Sequence, residues 1–496
     1  MKQLLNSSPL SQRRTGVLLH ISSLPNASYV GDLGFEAYRF VDFLADIGAS
    51  VWQTLPINMP HADNSPYQCL SAHAGNPDFI SLEALQEQGL LAKEDIAELS
   101  TNKSDLIAKA YLTFSQSEDK ELKQSFTVFC KKHNHWLKDF SLFLALRNML
   151  NQAGWQYWPE HYKNREAEAL TQAGKELSQE IDVIKFTQFL FFSQWLKLKA
   201  YAATKKVYLF GDIPIFVAYD SAEVWAQPHL FKLDSDKNMA VVAGVPPDYF
   251  SETGQRWGNP HYDWEAMAAD GYAWWVSRMH TQSELFNIVR IDHFRGLEAA
   301  WEIPVNENTA INGAWVLAPG DALLAAITQA LPNISLVAED LGIITDEVDA
   351  LRNKYNLPGM KILQFAFSGT EDNPYLPHHI EENSVVYTGT HDNDTTVGWY
   401  NTLDEQQRHH LYAYLHGYRS AEHNVDMPND LIEMALESKA NLAIIPMQDL
   451  LALDSSHRMN TPGTSSGNWH WRFSWSQLSD AQQQYIKQAI ARTDRH

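Results

Sequence analysis

Eight short apolar runs constrain the fold of this chain more than any other feature. Each run is nearly continuous in aliphatic and β-branched residues and ends in polar or glycine-containing residues. Runs of this kind are typical of strands that are buried on both faces and therefore pair in parallel. In chain order the runs begin at Thr15, Ser50, Lys206, Asn287, Ser335, Lys361, Ser384 and Asn441.

Most of these runs are followed by a helical pattern. After the first run, four apolar residues recur at helical spacing and Gly48 follows them as a C-cap; the four are Phe40, Phe43, Leu44 and Ile47. Eight strands that alternate with helices are the count of a (β/α)8 barrel. The sequence therefore predicts an α/β fold, a (β/α)8 TIM barrel, that forms a single catalytic domain over residues 1–496.

Two of the connections are too long to be simple crossovers. Residues 76–203 are mostly helical in pattern, with one apolar face marked by Trp136, Phe140, Phe143 and Leu144. Residues 221–282 are rich in Pro, Gly, Tyr and Trp, a composition typical of ordered loops. Both segments are predicted to be insertions in βα loops, and the second is expected to lie over the active site, because a barrel builds its site from those loops.

The composition excludes several classes of function. With a formal net charge of -22, the surface repels nucleic acid and anionic membranes, so neither is an expected partner. No run is long and apolar enough to span a bilayer. Cys69 and Cys130 are the only cysteines in the sequence, which favours a reducing cytoplasm. The 16 tryptophans and 20 tyrosines suit a core but also stacking against sugars.

Acidic residues stand at the C-terminal ends of five predicted strands. Any one of them alone is more typical of a helix N-cap or a solvated loop. Five at matching positions indicate an active site, because their mutual repulsion is a cost that structure alone would not keep. They are Asp212, Asp292, Glu339, Asp392 and Asp449.

Two kinds of site use such a group of carboxylates. One is a divalent metal site, with His293 or His391 as further ligands. The other is glycoside chemistry, with one ionised nucleophile and one protonated acid. Arg290 favours the second, because it shares a strand face with Asp292, is expected to lower the pKa of that aspartate, and repels a cation. Glu339 follows an apolar run whose desolvation favours the protonated acid. We therefore expect neither a metal nor a cofactor.

Several longer motifs carry a resemblance to one family. They are SPYQCLSAHAGNP, GDIPIFVAYDSAEVW, GVPPDYFSETGQRWGNP, RIDHFRG, AEDLG, GMKILQFAF, YTGTHDNDTTVGWY and MNTPGTSSGNWHWR. From about Thr15 to Phe473, the chain resembles the 4-α-glucanotransferases called amylomaltase or disproportionating enzyme. The resemblance implies a retaining transglycosylase on an α-amylase-like barrel. It also implies that the substrates are maltooligosaccharides and α-1,4-glucans.

The resemblance assigns roles to individual residues. Asp292 matches the nucleophile, Glu339 the acid/base and Asp392 the transition-state stabiliser. The residues that match substrate-binding positions are Tyr67, Asp212, Arg290, His391 and Trp257. The segments Gly244–Trp257 and Met459–Gly467 match loops that overhang the donor groove. His73 and Ser368 depart from the family pattern, at positions expected to lie outside the reacting subsite.

Other interpretations of the residues stay open at this point. An α-amylase-type hydrolase would use the same acids, a glucan-binding protein on an inactive barrel would need only the aromatic residues, and a metal-dependent lyase or isomerase would use the carboxylates as ligands. The segment Gly463–Gly467 fits the G-x-S-x-G pattern of a catalytic serine, but its Pro- and Trp-containing context does not favour a strand-to-helix turn. The oligomeric state is left open between a monomer and a weak homodimer.

Overall fold

A computed structural model describes residues 8–26, 30–97, 102–247, 251–419 and 424–495. The strands in chain order are β1 Arg14–Leu18, β2 Val51–Gln53, β3 Tyr208–Ile213, β4 Val241–Val245, β5 Gln255–Pro260, β6 Ile288–Ile291, β7 Ala299–Pro304, β8 Ala314–Leu317, β9 Ser335–Ala338, β10 Gly359–Ile362, β11 Ser384–Tyr387 and β12 Leu442–Pro446.

Eight of these strands form one parallel sheet in the order β10-β11-β12-β1-β2-β3-β6-β9. The two end strands also meet, because the Ala338 N–H donates to the Pro358 carbonyl at 2.9 Å just before β10. Consecutive strands of this set are therefore neighbours all the way round. The predicted (β/α)8 barrel is confirmed, and all eight predicted runs contribute its strands.

The helices in chain order are α1 Phe35–Ile47, α2 Leu82–Glu87, α3 Lys93–Ala97, α4 Lys103–Gln116, α5 Lys120–Lys132, α6 Asn134–Met149, α7 Glu160–Lys163, α8 Ala167–Glu176, α9 Ser178–Thr204, α10 Ala222–Ala226, α11 Trp264–Ala269, α12 Ala273–Leu285, α13 Gly320–Ala330, α14 Asp346–Lys354, α15 Thr396–Thr402, α16 Glu405–Tyr418, α17 Asn429–Glu437, α18 Met447–Leu450 and α19 Asp480–Arg492.

Helix α1 forms as its apolar spacing predicts. Phe40, Leu44 and Ile47 are fully buried. Gly48 ends the helix with φ of 83°, a left-handed conformation that glycine adopts without a Cβ penalty, and its N–H bonds the carbonyls of the last turn. The helix packs against α19, so the first and last α-helices of the described chain lie side by side.

The long connection from β2 to β3 contains α2 to α9. Helix α9 is its longest element, and it packs against α4, α5 and α6 before it leads directly into β3. The predicted apolar face of α6 lies in this interface, with Trp136, Phe140 and Phe143 buried. Residues 98–101 of the predicted insertion lie outside the described residues.

The segment 221–282, expected to consist of ordered loops, contains regular elements. It holds α10, α11, most of α12 and the strands β4 and β5. These two strands join β7 and β8 in an antiparallel sheet of order β5-β4-β7-β8. Half of the sheet comes from 299–317, beyond the segment, so the strand pairing has no local signal. Residues 248–250 lie outside the described residues.

In the ranges that the structure covers, no helix combines the length and the apolar character that crossing a bilayer requires.

Candidate active site

Strands β3 and β6 are neighbours, and their register sets Asp212 opposite Arg290. Both residues are buried inside the barrel. Arg290 donates a hydrogen bond to the Asp212 carboxylate at 2.5 Å, and the Tyr67 hydroxyl donates to the same oxygen at 2.7 Å. These partners explain how a strand can bury an arginine, because a buried charge is tolerated only when it is paired and hydrogen-bonded.

Asp292 is the first residue after β6. Its N–H donates to the Ile213 carbonyl at 2.9 Å, which continues the strand pairing by one residue. Its carboxylate accepts a hydrogen bond from Arg290 at 2.7 Å, so the guanidinium bridges Asp212 and Asp292. The Asp292 side chain is 29% exposed and that of Asp212 only 1%, so Asp292 is the one of the two that a substrate can reach.

Glu339 is the first residue after β9 and lies beside Asp292 at the same rim. Its N–H donates to the Ile291 carbonyl at 3.0 Å. One carboxylate oxygen accepts the Leu341 N–H at 2.8 Å and the other accepts the His293 N–H at 2.6 Å. Two backbone donors therefore hold the two oxygens of Glu339 in a fixed orientation.

Asp392 follows β11 in a turn that opens to solvent. His391 Nε2 lies 3.3 Å from Asp392 Oδ1, and Asn460 Nδ2 donates to that oxygen at 2.6 Å. The Arg458 guanidinium donates to the main-chain carbonyl of Asp392 at 2.9 Å. The Asp392 side chain is 47% exposed, so its carboxylate is both oriented and accessible.

A wall of flat rings stands beside these carboxylates. The Tyr67 ring stacks on His391 with centroids 5.3 Å apart and an interplanar angle of 13°. Trp469 lies 6.0 Å from each of these two rings. Such rings offer an apolar face with a polar edge, which suits the face of a sugar ring. Together, the strand ends supply acids and the loops supply aromatic surface.

The sequence of this chain is matched by one family model. The model for 4-alpha-glucanotransferases, glycoside hydrolase family 77, matches residues 19–478. The chain belongs to this family.

Two curated 4-alpha-glucanotransferases illustrate how far the similarity extends. The protein from Synechocystis sp. is 47% identical over 95% of this chain and 96% of its own length. The protein from Thermus thermophilus is 45% identical over 94% of this chain and 96% of its own length. Among solved structures, the amylomaltase from Streptococcus agalactiae in complex with acarbose matches with a TM-score of 0.92 at 35% identity. That match covers 98% of this chain and all of the other.

In this 4-alpha-glucanotransferase family member, one guanidinium faces several acids. Burial raises the pKa of Asp292, and the carboxyls of Asp212, Glu339 and Asp392 raise it further. Arg290 lowers this pKa, as predicted, but the guanidinium is shared with Asp212 and does not outweigh desolvation, so the net shift is upward.

Burial also raises the pKa of Glu339, as its apolar strand predicts, while Arg290 and the N–H groups of Leu341 and His293 oppose the shift. Because Asp292 and Glu339 interact, their protons titrate as those of a pair. Burial lowers the pKa of His391, so the neutral imidazole stands beside Asp392 near neutral pH.

Asp449 does not join the site, and the prediction of five converging acids is wrong in this respect. Its buried carboxylate accepts hydrogen bonds from the Thr388 hydroxyl at 2.6 Å, and from the Thr396 N–H and hydroxyl at 2.7 and 2.8 Å. Asp449 therefore ties the end of β11 to the first turn of α15. The four other acids remain at the rim.

Trp257 lies on β5, and its ring meets the His293 ring edge-to-face at 4.9 Å and 89°. The ring is half-buried, and its Nε1 donates to Gln255 at 3.1 Å. The contact between Trp257 and the acids therefore runs through His293, which lies between Trp257 and Glu339.

Sequence reasoning overlooked Arg458 and Trp469 as individual residues, and treated Asn460 only as part of a loop. All three flank the turn of Asp392 and His391. The available signal was the motif MNTPGTSSGNWHWR, a Pro- and Gly-rich loop that carries aromatic and amide side chains, which is typical of a binding loop.

The two departures from the family pattern lie away from the acids. His73 is buried, stacks on Trp136 at 5.7 Å, and shares a hydrogen bond with Thr281 at 2.8 Å. Ser368 is exposed and accepts a hydrogen bond from Asn373 at 2.9 Å.

The sequence also contains the elements of two alternative sites, a catalytic serine and a metal centre. Ser465, the serine of the G-x-S-x-G pattern, is exposed in a segment of turns and bends, so the strand-to-helix turn that a nucleophile elbow needs is missing there. Where the structure describes the chain, it brings no three His, Cys, Asp or Glu side chains into an arrangement that could hold a metal ion.

Proposed function

We propose that this enzyme transfers an α-1,4-glucan segment from one maltooligosaccharide to the 4-hydroxyl of another glucan or of glucose. The proposed reaction is a retaining double displacement through a covalent glycosyl-enzyme intermediate. Asp292 is the nucleophile, Glu339 the acid/base and Asp392 the transition-state stabiliser.

One observation carries the proposal: the two reacting carboxyls occupy matching positions on adjacent strands. Asp292 and Glu339 each follow the last register pair of β6 and β9, Ile291 with Ala338. Neighbouring strands lie about 4.8 Å apart, and retaining enzymes hold their two carboxyls about 5 to 5.5 Å apart. Adjacent positions therefore support retention, because inversion needs room for a water between the acids.

In the first half-reaction, the Asp292 carboxylate attacks the anomeric carbon while Glu339 gives its proton to the glycosidic oxygen. The bond to that oxygen breaks, the reducing-end fragment leaves, and the glycosyl group remains on Asp292. Burial raises the pKa of both carboxyls, but Asp292 accepts a hydrogen bond from Arg290, so the negative charge of the pair is assigned to Asp292 and the proton to Glu339.

In the second half-reaction, ionised Glu339 takes the proton of an acceptor hydroxyl. The acceptor oxygen attacks the anomeric carbon and the bond to Asp292 breaks. Water competes as an acceptor, so transfer predominates only when a bound glucan is better positioned than water. The segments 244–257 and 459–467 are proposed to provide that shielding.

The remaining residues are proposed to bind the reacting glucose unit. Tyr67 offers a ring that is already stacked on His391 and oriented by its hydrogen bond to Asp212. His391 and Asp392 are proposed to bind sugar hydroxyls as charge develops at the anomeric carbon. Trp257 is proposed to contact the substrate from β5. The relative solved in complex with acarbose supports an oligosaccharide in this groove.

The test is to supply maltotriose as the only substrate and follow the products. Transfer gives mostly glucose and oligomers longer than maltotriose, while the number of reducing ends stays constant. A new reducing end at every turnover would identify a hydrolase instead. Full activity after exhaustive EDTA treatment would exclude a metal-dependent reaction. Activity that is lost and then restored only by an added divalent cation would exclude the proposed reaction.

We also propose the metabolic context and the cell compartment of this activity. A transferase of this specificity belongs to maltooligosaccharide and starch or glycogen metabolism. Cys69 and Cys130 are both free thiols, which supports a reducing cytoplasm.

A further inference from the structure

His293 stands between the proposed nucleophile and a short 3-10 helix, Phe294–Leu297, in a strained conformation. Its φ is 52°, in the left-handed region that non-glycine residues rarely adopt. Such a conformation costs about 1 to 3 kcal/mol and persists where the surroundings over-determine it. Two hydrogen bonds to Glu339 hold this conformation. The His293 N–H donates to the Glu339 carboxylate at 2.6 Å, and the Phe294 N–H donates to the Glu339 main-chain carbonyl at 3.0 Å.

The ring of His293 is fixed on two sides. Trp257 meets it edge-to-face at 4.9 Å. On the other side is Gly296, where a Cβ would stand 3.1 Å from His293 Cδ2 and 2.7 Å from Ile215. A side chain at residue 296 would therefore crowd the ring and clash with Ile215.

The imidazole acts by packing and not by charge. Burial lowers the pKa of His293 to about 4, so the ring is neutral near neutral pH. Its Nε2 is buried and finds no hydrogen-bond partner among the residues that the structure describes. A buried nitrogen without such a partner on a half-buried neutral ring is costly, which indicates that the position of the ring serves something other than stability.

We propose that His293 is a positioning residue through which Trp257 holds the acid/base Glu339: the bracing of its ring keeps its backbone left-handed, and that backbone aims the N–H at the Glu339 carboxylate. The inference rests on the proposed role of Glu339. It follows that a change at Trp257 reaches the proton-transfer step without any contact between Trp257 and the acid.

The readout that separates positioning from stability is the pH profile of transfer. The His293 N–H bonds the carboxylate and so favours its ionised form, which lowers the pKa of Glu339. If this bond loosens, the pKa of Glu339 rises and the alkaline limb of activity moves to higher pH. A general loss of stability would lower the amplitude and leave the limb in place.

Other groups that face Glu339 are unchanged by these substitutions. They are Arg290 on β6, Asp292 just after β6, Asp340 next to Glu339 in the chain, Tyr375, and Tyr387 at the end of β11. A displaced alkaline limb therefore reports the His293 hydrogen bond.

The experiment compares His293→Asn, Trp257→Ala and the double variant on maltotriose from pH 5 to 10. Asparagine keeps the N–H and permits the left-handed conformation, so the variant can fold, but its side chain is too short to contact Trp257 and no longer braces the backbone in that conformation. We expect His293→Asn to lower kcat severalfold and to raise the alkaline limb by about 0.5 to 1 pH unit. Trp257→Ala should shift it in the same direction, and the double variant should shift it no further than His293→Asn alone.

Tyr272→Asn is the matched control, because Tyr272 also carries an aromatic ring at a left-handed position, with φ of 62°, but caps α12 outside the site. Its alkaline limb should coincide with that of the wild type. An unmoved limb in His293→Asn, or shifts of the two single variants that add in the double variant, would overturn the inference. Wild-type protein without transfer activity, or Glu339→Gln with full activity, would instead overturn the proposed function.

Discussion

Arg290 illustrates how much at the residue scale follows from sequence. Its spacing from Asp292 predicted that the two would share a strand face, and they do form a hydrogen bond. Arg290 lowers the pKa of Asp292, as predicted, but the net direction of the shift could not be predicted in the same way. It is set first by burial, and then by Asp212, 78 residues before Arg290 in the chain, which takes the other side of the guanidinium at 2.5 Å.

Asp449 and Asp392 show the same limit. Each is a polar residue just beyond a buried strand, so their local sequences are equivalent. What separates them is whether nearby threonines satisfy the carboxylate, as Thr388 and Thr396 do for Asp449. Such a contact depends on the relative placement of β11, β12 and α15, which no spacing in the sequence encodes.

A prediction at this scale concerns the proton on Glu339. The acid form is required to protonate the leaving oxygen, and burial raises the pKa of Glu339, so activity should persist above the ordinary carboxyl pKa of about 4.3 before it falls. On the acid limb, protonation of Asp292 removes the nucleophile, and because burial also raises the pKa of Asp292, this limb should lie above the ordinary aspartate pKa of about 3.9. Glu339→Gln should lower kcat by about 10² to 10⁴-fold and abolish the alkaline limb, as measured by initial transfer rates on maltotriose.

Glu347→Gln is the control for this substitution, because Glu347 is exposed at the start of α14. Its profile should keep both limbs and the wild-type amplitude. An alkaline limb that survives in Glu339→Gln would assign the acid to another residue.

At the scale of elements, burial decides what the sequence can predict. The barrel strands are buried on both faces, as the four buried residues of β6 show, and a run of apolar residues marks them. The strands of the small sheet lack that signal. Strand β5 contains Gly258 and Pro260, and β8 is largely exposed, so neither alternation nor apolarity identifies them. They form because β4 and β7 lie between them and supply partners.

Helix α15 allows a prediction about how an element holds the site. It begins four residues after Asp392, and Asp449 binds its Thr396 N–H and hydroxyl. Asp449→Asn replaces an acceptor with an amide donor opposite these donors. We expect a loss of about 1 to 3 kcal/mol in the free energy of unfolding, measured by urea denaturation, together with a higher KM for maltotriose.

The exposed Asp321 offers a matched Asp→Asn change. Its side chain is 61% exposed and pairs with Lys354 on the surface, so Asp321→Asn should leave the free energy of unfolding nearly unchanged. Equal stability losses in the two variants would show that Asp449 contributes no more than a surface acid.

At the scale of the whole molecule, the charges at the rim of the barrel differ from what the net charge of the chain indicates. The net charge is -22, yet the buried rim of the barrel holds Arg290 among its acids. The overall charge could be read from composition, and it explains why nucleic acid is not an expected partner. The balance of charges at the site could not be read from composition, because Arg290 and the acids come together only when β3, β6, β9 and β11 are assembled.

The folded molecule also buries imidazoles that the unfolded chain exposes, and His133 gives a test of this. Burial lowers its pKa to about 4, from 6.5 in the unfolded chain. Below pH 6.5 the unfolded state therefore binds a proton that the folded state does not take up until about pH 4. This site costs the wild type nothing above pH 6.5 and about 2 kcal/mol of stability at pH 5.

His133→Phe should remove this dependence. The ring packs against Phe129 at 4.6 Å and Phe192 at 5.0 Å, so phenylalanine fits the cluster. At pH 7 the variant should be less stable by about 1 kcal/mol, because Trp136 Nε1 loses the acceptor that it contacts at 3.3 Å. As the pH falls to 5, thermal unfolding should show that the variant becomes more stable than the wild type.

The exposed His229 serves as the control, since His229→Phe removes an imidazole that is solvated in both states. Parallel curves of Tm against pH for wild type and His133→Phe would mean that the folded protein admits the proton after all.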